Sequence, residues 1–250
     1  MSLLKTKGII IKQYDYGESN RILNIFTKDQ GIIKAVLYGA KSMKNKNSRT
    51  AQFLTYADFI LSNSGRELYT IKNCEPMECF FKIHEDIEKV ALCTYMADLI
   101  YTLINLNSPD ENILNLFLNC CYALAYKDID NEKIRAVFEL RVMAYSGYLP
   151  EMYRCTKCFS EENITAFSPV SGGVVCDGCV QPGDYMINAD IYYAIRYILT
   201  AEGKKMMSFS ASDSVMHTVS EIAEKYVEAY TEKNFSSLDY YKKISGKTND

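Results

Sequence analysis

Residues 7–39 read KGIIIKQYDYGESNRILNIFTKDQGIIKAVLYG, and their pattern predicts the fold of the amino-terminal third of the chain. Aliphatic and aromatic residues alternate with polar ones in three short runs, at residues 7–14, 21–27 and 32–38. Asp15-Tyr16-Gly17 separates the first two runs and Lys28-Asp29-Gln30-Gly31 the next two. This pattern is typical of strands joined by tight turns and predicts a meander.

Two further runs, at residues 56–61 and 67–71, flank Ser62-Asn63-Ser64-Gly65-Arg66. A five-residue link that contains Gly suits a hairpin loop. Five short antiparallel strands within 80 residues are what a small closed barrel needs, because closure removes the exposed strand edges. We therefore expect a β-barrel domain at residues 1–80.

From Phe81 onward the apolar residues recur with the period of a helix, and Ser108-Pro109-Asp110 interrupts them. Later helices are predicted at residues 111–126, 131–145, 189–200 and 213–233. Residues 151–185 lack this period and carry Cys, Gly and Pro. The predicted organisation is a helical domain at residues 81–150 and 186–244, an insert at residues 151–185 and a flexible tail at residues 245–250.

The composition is that of a globular protein. The 250 residues are 48% hydrophobic and 24% charged with only 5 Pro and 12 Gly, which excludes a disordered or collagen-like chain. No run approaches 18 uncharged apolar residues, and the first seven residues form no apolar export signal, so we expect a cytoplasmic protein. Only His84 and His217 are available for histidine chemistry, and they lie far apart in sequence, which disfavours an enzyme.

The net charge of −3 hides a difference between the two parts of the chain. Residues 1–82 hold 13 Lys and Arg against 7 Asp and Glu, a net charge of +6, whereas residues 83–250 hold 15 against 24, a net charge of −9. A basic domain on an acidic body is typical of a polyanion-binding module attached to a part that faces other partners. Chance segregation of solvating charges is the alternative.

Four of the nine cysteines form two C-x₂-C pairs, Cys155 with Cys158 and Cys176 with Cys179. The 17 residues between the pairs fall in the range of a four-cysteine zinc site, and a complete shell of four thiolates leaves no position for a reactive water. The sequence predicts one structural Zn²⁺ per chain. A dithiol catalyst and a nucleobase deaminase are the rivals, but neither pair follows a parallel strand at a helix start, and neither has the P-C-x-x-C element. The other cysteines are expected to be small buried hydrophobes: Cys74, Cys79, Cys93, Cys120 and Cys121.

Residues 41–49 carry four positive charges and no negative charge between two predicted strands. We expect a mobile exposed loop whose cations follow phosphates without reading sequence, although a solvated loop without a partner explains the charges equally well. The predicted nucleic-acid-binding residues are Arg21, Lys34, Lys41, Lys44, Lys46 and Arg49. Any exposed aromatic residue of the barrel is a candidate for stacking on an unpaired base, within the set Tyr14, Tyr16, Phe26, Tyr38, Phe53, Tyr56, Phe59 and Tyr69.

The order of these parts and several phrases resemble the RecO family of bacterial DNA repair and recombination mediators. The phrases are Asp15-Tyr16-Gly17-Glu18-Ser19, Tyr38-Gly39-Ala40-Lys41, Phe138-Glu139-Leu140-Arg141 and Gly147-Tyr148-Leu149-Pro150, followed by Phe167-Ser168-Pro169 and Gly172-Gly173 between the two cysteine pairs. The resemblance spans nearly the whole chain.

The resemblance implies an OB-fold, a helical domain and a zinc-ribbon-like insert in a nucleoid-associated protein that is not an enzyme. It implies binding of single- and double-stranded DNA, annealing of single strands, and help for RecA in replacing single-strand-binding protein. RecR and single-strand-binding protein are the implied direct partners. The alternatives are an RNA-binding or transcription-associated zinc-ribbon module, and a metal-dependent nuclease or thiol enzyme.

The acidic body, residues 83–250, is expected to contact proteins rather than DNA. The resemblance suggests that it binds the acidic, apolar-ended tail of single-strand-binding protein in a pocket beside cations such as Arg135, Arg141 or Arg196. The alternative is that these arginines only pair with neighbouring glutamates, as the i, i+3 spacing of Glu132 and Arg135 would allow.

Overall fold

The barrel forms from the stretch quoted above and two later strands. In the computed structural model, which describes residues 2–42, 44–48, 50–63, 68–104 and 108–246, the strands are β1 (Ser2–Tyr16), β2 (Asn20–Thr27), β3 (Gly31–Leu37), β4 (Tyr56–Asn63) and β5 (Leu68–Glu78). They close in the order β1-β2-β3-β5-β4. The predicted amino-terminal barrel is confirmed, and residues 64–66 of the predicted hairpin loop lie outside the described residues.

Strand β1 is long enough to pair with two neighbours. Residues 2–9 pair with β4 and residues 8–16 with β2, and the register shifts next to Ile10. Gly8 allows the close approach at this bend, because a Cβ atom there would lie 2.7 Å from the carbonyl oxygen of Phe26.

One pairing differs from the predicted antiparallel barrel. β3 and β5 are parallel, with Lys34 opposite Leu68 and Val36 opposite Thr70. The other pairings are antiparallel. An odd number of strands cannot alternate in direction around a closed ring, so a barrel of five strands must contain one parallel pair.

Alternation along the strands fills the barrel with apolar side chains. Every second residue of β2, β3 and β4 faces inward, and β1 and β5 complete the core with Ile10, Ile71 and Cys74. The inward residues of the three strands are Leu23, Ile25, Ile33, Ala35, Leu37, Ala57, Phe59 and Leu61. Because these residues face inward, the residues that alternate with them on the same strands face the outside of the barrel.

The chain divides into two compact units, residues 1–115 with 240–250 and residues 116–239. In the first unit, α1 (Phe81–His84) and α2 (Ile87–Leu103) follow the barrel. The side chain of Asp86 caps α2 by accepting hydrogen bonds from two backbone N–H groups. An ion pair between Lys12 and Asp98, at 3.6 Å, links β1 to α2.

The remaining helices are α3 (Glu111–Tyr126), α4 (Asn131–Tyr145), α5 (Ala189–Thr200), α6 (Asp213–Thr231) and α7 (Ser236–Ile244). The bounds of α3, α4 and α5 agree with the predicted ones. α6 ends two residues earlier than predicted, where Glu232 has a left-handed conformation. α4 packs against α5 and α6, and the predicted carboxyl-terminal helical region is confirmed.

A buried ionic network joins α4 to α6. The Arg135 guanidinium lies 3.1 Å from Glu139, 3.0 Å from Glu224 and 3.5 Å from Glu132, and donates a hydrogen bond to the Ser220 hydroxyl. The Arg135 and Glu139 side chains are almost completely buried.

The insert between α4 and α5 is a small sheet of β6 (Ile164–Ser168), β7 (Gly173–Cys176) and β8 (Tyr185–Met186), in the order β7-β6-β8. A single 3-10 turn, Asp177–Cys179, follows β7. Residues 247–250 of the predicted flexible tail lie outside the described residues. Among the helices of the described residues, none has the length and apolar character needed to span a bilayer.

Candidate nucleic-acid interface and cysteine site

The segment between β3 and β4, residues 38–55, is called the basic loop here. Successive backbone hydrogen bonds fold it into turns. The N–H of Ser42 donates to the carbonyl oxygen of Gly39, and the N–H of Asn45 donates to the carbonyl oxygen of Ser42. Asn47 is buried, and its side-chain oxygen accepts a hydrogen bond from the backbone N–H of Cys74 in β5. The expectation that this loop is exposed is therefore wrong at Asn47, which attaches the loop to the barrel.

The predicted cations do not share one environment. Lys34 lies exposed on the outer face of β3, and Lys44 and Lys46 are exposed on the basic loop. Arg21 and Lys41 instead face the same carboxylate, that of Asp15, at 3.7 and 2.9 Å. Arg49, the sixth predicted residue, lies outside the described residues.

Asp15 is a member of this interface that the sequence pattern did not predict. The hydrogen bond from Lys41 lowers the pKa of Asp15, and the charges of Lys41 and Arg21 lower it further despite some desolvation. A carboxylate that remains ionised in this position offsets part of the positive charge of its two partners. The cross-strand pairing of Asp15 with Arg21 is the signal that reveals this contact.

Three tyrosines are exposed among the described residues of the barrel, namely Tyr14, Tyr16 and Tyr38, and they are called the tyrosine face here. Tyr14 pairs with Ile22 and Tyr16 with Asn20 across β1 and β2. Phe26 and Phe59, by contrast, are completely buried, and the other predicted stacking candidates are partly buried: Phe53, Tyr56 and Tyr69.

The two cysteine pairs converge on one point in the insert. Cys155 and Cys158 lie in the turn that precedes β6, Cys176 ends β7, and Cys179 ends the following 3-10 turn. Their four Sγ atoms lie within 4.8 Å of one another, and those of Cys158 and Cys176 are 3.6 Å apart. Four sulfurs about 2.3 Å from a tetrahedral metal ion lie about 3.8 Å from each other, so the arrangement fits a metal ion.

Electrostatics within the cysteine cluster favour a bound cation. Burial raises the pKa of Cys155, but hydrogen bonds from the backbone N–H groups of Cys176, Cys158 and Lys157 outweigh it and lower the pKa to about 6. The hydrogen bond with Cys158 raises the pKa of Cys176, and that with Cys176 raises the pKa of Cys179 to about 12. Four thiolates this close repel one another, so a cation is needed to hold all four deprotonated.

The remaining cysteines lie apart from this cluster. Cys74, Cys93, Cys120 and Cys121 are buried as predicted, whereas Cys79 is only partly buried. Burial raises the pKa of Cys74 to about 11, which keeps this thiol protonated and unreactive near neutral pH.

The three arginines expected beside a peptide pocket each contact other side chains of the protein. Arg135 is held by the glutamates of the buried network, and Arg141 is buried with its guanidinium bonded to the Tyr145 hydroxyl. Arg196 lies over the rings of Tyr153 and Tyr192. Arg135 is the one of the three that a neighbouring helix holds, through Glu224 of α6, and the sequence pattern does not reveal this contact.

A different cavity combines apolar walls with two exposed lysines at its edge. It lies between α3 and the 3-10 segment Gly203–Met207 and has a volume of about 310 Å³. The ammonium groups of Lys127 and Lys204 lie 6.0 and 5.3 Å from the ring of Tyr122. This lysine-rimmed pocket is lined by Asn119, Tyr122, Ala123, Lys127, Ile129, Lys204, Met206, Met207 and Ser208.

Family models match nearly the whole chain. The model described as recombination protein O N terminal matches residues 1–80, and the one described as recombination protein O C terminal matches residues 84–239. The protein named DNA repair protein RecO from Acetivibrio thermocellus is 33% identical over 247 residues, which cover 98% of each chain. The proteins of the same name from Alkaliphilus metalliredigens and Caldicellulosiruptor saccharolyticus are each 28% identical over 246 residues, covering 97 and 98% of this chain and 100% of each relative.

Proposed function

The chain belongs to the RecO family of DNA repair and recombination proteins, and we propose a function on this basis. The protein binds single-stranded DNA through its barrel and anneals complementary strands. In this proposal it also binds duplex DNA and helps RecA to load on strands coated by single-strand-binding protein, which its family membership supports. Residues 1–80 act as the DNA-binding domain, residues 81–150 and 186–244 bind partners, and residues 151–185 form the metal-binding insert.

The observation that carries the proposal is a set of exposed lysines on β3 and the basic loop. Residues 12–48 hold seven Lys and Arg against three Asp and Glu, and of these cations Lys12 and Lys28 pair with Asp98 and Glu111 outside this range. Lys34, Lys44 and Lys46 are exposed there, and cations on a polar loop neutralise phosphates without reading bases. Contacts of this kind suit a protein that must act at any sequence.

We assign the cysteine cluster to one structural zinc ion. Four sulfur donors complete a tetrahedral shell, and zinc is the divalent ion most often held by four cysteines. A bound ion would cross-link the insert and would not catalyse a reaction, since four cysteines leave no coordination position for a substrate. Together with the shortage of histidines, this supports a role without catalysis.

The lysine-rimmed pocket is the proposed site for the tail of single-strand-binding protein. An acidic peptide with an apolar end needs an apolar cavity beside cations. Met206 and Met207 supply the apolar wall, while Lys127 and Lys204 are exposed at its edge. The site replaces the arginine pocket expected from the sequence. RecR is retained as a proposed partner on the basis of family membership.

Binding to labelled oligonucleotides tests the DNA assignment. Affinity for single-stranded DNA should fall with salt with a slope of log K against log[salt] of roughly −0.7 per phosphate neutralised. An RNA-binding module would instead prefer RNA of the same sequence, and an enzyme would change its substrate. A preference for RNA, or no binding at low salt, would contradict the proposal.

A further inference from the structure

We propose that the tyrosine face, Tyr14, Tyr16 and Tyr38, is a stacking platform for unpaired bases that makes the barrel prefer single strands to duplex. This inference rests on the proposed function, because it assigns a second element to the DNA-binding surface of the barrel. The basic loop then supplies contacts to phosphates, and the tyrosines supply contacts to bases.

The backbone places the three tyrosines on the two sides of strand β2, with Tyr14 and Tyr16 on β1 and Tyr38 directly after β3. Tyr16 is opposite Asn20 in the ladder of β1 and β2. The side-chain oxygen of Asn20 accepts a hydrogen bond from the backbone N–H of Gly39, at 3.0 Å, which fixes Tyr38 beside the same asparagine. The Asn45 side chain also donates a hydrogen bond to the carbonyl oxygen of Tyr38, at 2.8 Å, so the basic loop begins at the platform.

The distance between Tyr14 and Tyr16 along β1 is larger than the distance between two stacked bases. Tyr14 and Tyr16 are two residues apart and lie on the same side of the strand, about 6.8 Å from each other. This is about twice the 3.4 Å rise per nucleotide along one strand of a duplex. Adjacent bases can reach both rings only if they separate from each other, which a single strand permits and a duplex resists.

Exposure indicates that these rings do not serve the barrel core. Tyr14, Tyr16 and Tyr38 are 42, 50 and 58% exposed, whereas the core ring of Phe59 is fully buried. A tyrosine with this much exposed surface gains little from folding, so its replacement should leave the barrel intact.

Charge favours nucleic acid over protein as the occupant of this face. Lys34 lies on the outer side of β3, one row away from the pair formed by Tyr14 and Ile22. Lys41 and Lys44 follow Tyr38 within six residues. Proteins that bind single strands without sequence preference combine aromatic rings that stack on the bases with cations that contact the phosphate backbone. The tyrosine face and the nearby lysines provide both kinds of residue.

Single substitutions of the three tyrosines by Ala, tested with three DNA probes, decide the proposal. The probes are a single strand, a strand of equal length without bases, and a duplex. Loss of one stacked base should weaken single-strand binding by about fivefold to 150-fold. Binding to the abasic strand and to duplex should change by less than about twofold, since these probes keep the phosphates but offer no free bases. Tyr193→Ala and Tyr240→Ala, which remove exposed rings elsewhere, are the matched controls.

Two outcomes would overturn the proposal. Unchanged single-strand binding in all three variants would assign the face to another role, such as a protein interface, and equal losses on abasic and normal strands would indicate structural damage. The Lys44→Gln/Lys46→Gln variant separates this failure from failure of the proposed function. If it weakens binding while the tyrosine variants do not, the barrel still binds DNA but without stacking.

Discussion

The Nζ atom of Lys41 lies 2.9 Å from the carboxylate of Asp15, so a cation expected to face DNA already has an anionic partner. Arg21 lies 3.7 Å from the same carboxylate. The free charge of this surface is therefore smaller than its number of basic residues indicates. Asp15 acts as an internal competitor of the DNA phosphates.

Substitution of Asp15 by Asn should strengthen DNA binding. The change releases Lys41 and Arg21 and is expected to raise the affinity for single strands by about twofold to fivefold at low salt, with a smaller gain at high salt. Fluorescence anisotropy at two salt concentrations measures this. Asp190→Asn, which removes an exposed carboxylate from the second unit, should change nothing. An unchanged or weaker affinity in Asp15→Asn would show that the two cations do not reach DNA.

Substitution of Cys155 by Ser should release the metal ion. The purified protein is expected to hold about one zinc ion per chain, and the variant less than about half of that, with a lower melting temperature because structural zinc couples to folding. Elemental analysis and thermal melting measure the two effects. Cys79→Ser alters a partly buried cysteine outside the cluster and should keep its zinc. A parent protein with less than half an equivalent, or a variant that melts like the parent, would contradict the assignment.

Substitution of Arg135 by Met should destabilise the second unit strongly. It leaves the carboxylates of Glu139 and Glu224 buried without their shared cation, a change that costs about 3–5 kcal/mol of the free energy of unfolding. Replacing both glutamates by Leu in the same variant should recover much of this loss. Lys225→Met breaks an exposed pair with Glu228 and should cost about 0–1 kcal/mol. Denaturant unfolding measures these differences, and similar costs for Arg135→Met and Lys225→Met would contradict a buried network.

Substitution of Lys127 and Lys204 by Glu should abolish binding of an acidic peptide with an apolar end. Calorimetric titration of the full chain with such a peptide in low salt is expected to detect binding for the parent and a loss of at least about tenfold for the variant, because two attractions become repulsions. Lys233→Glu/Lys243→Glu changes the same charge at exposed sites away from the pocket. Equal losses of peptide affinity in both variants would reflect net charge alone and would contradict binding of the peptide in the pocket.

Local patterns predicted most of the elements. Alternation and turn residues such as Gly17 and Gly31 indicated the first three strands, and the spacing of Cys155, Cys158, Cys176 and Cys179 indicated the cluster that the structure brings together. Both signals are local, because a tight turn or a chelating loop depends on residues a few positions apart.

Features that depend on distant residues were not predicted. The parallel pairing of Lys34 with Leu68 follows from closing a ring of five strands, which no local pattern encodes. The burial of Arg135 depends on Glu224, 89 residues away, and the lysine-rimmed pocket joins Lys127 to Lys204. A sequence shows that such residues are charged, but only tertiary packing shows whether they lie free or paired.

An annealing assay measures the activity proposed for the barrel. The rate at which two labelled complementary oligonucleotides anneal should rise with added protein, without nucleotide, and the Lys44→Gln/Lys46→Gln variant should lose most of this acceleration while Lys233→Gln/Lys243→Gln retains it. Annealing that is no faster than without protein, or equally fast with the Lys44→Gln/Lys46→Gln variant, would contradict a DNA-annealing role for the barrel.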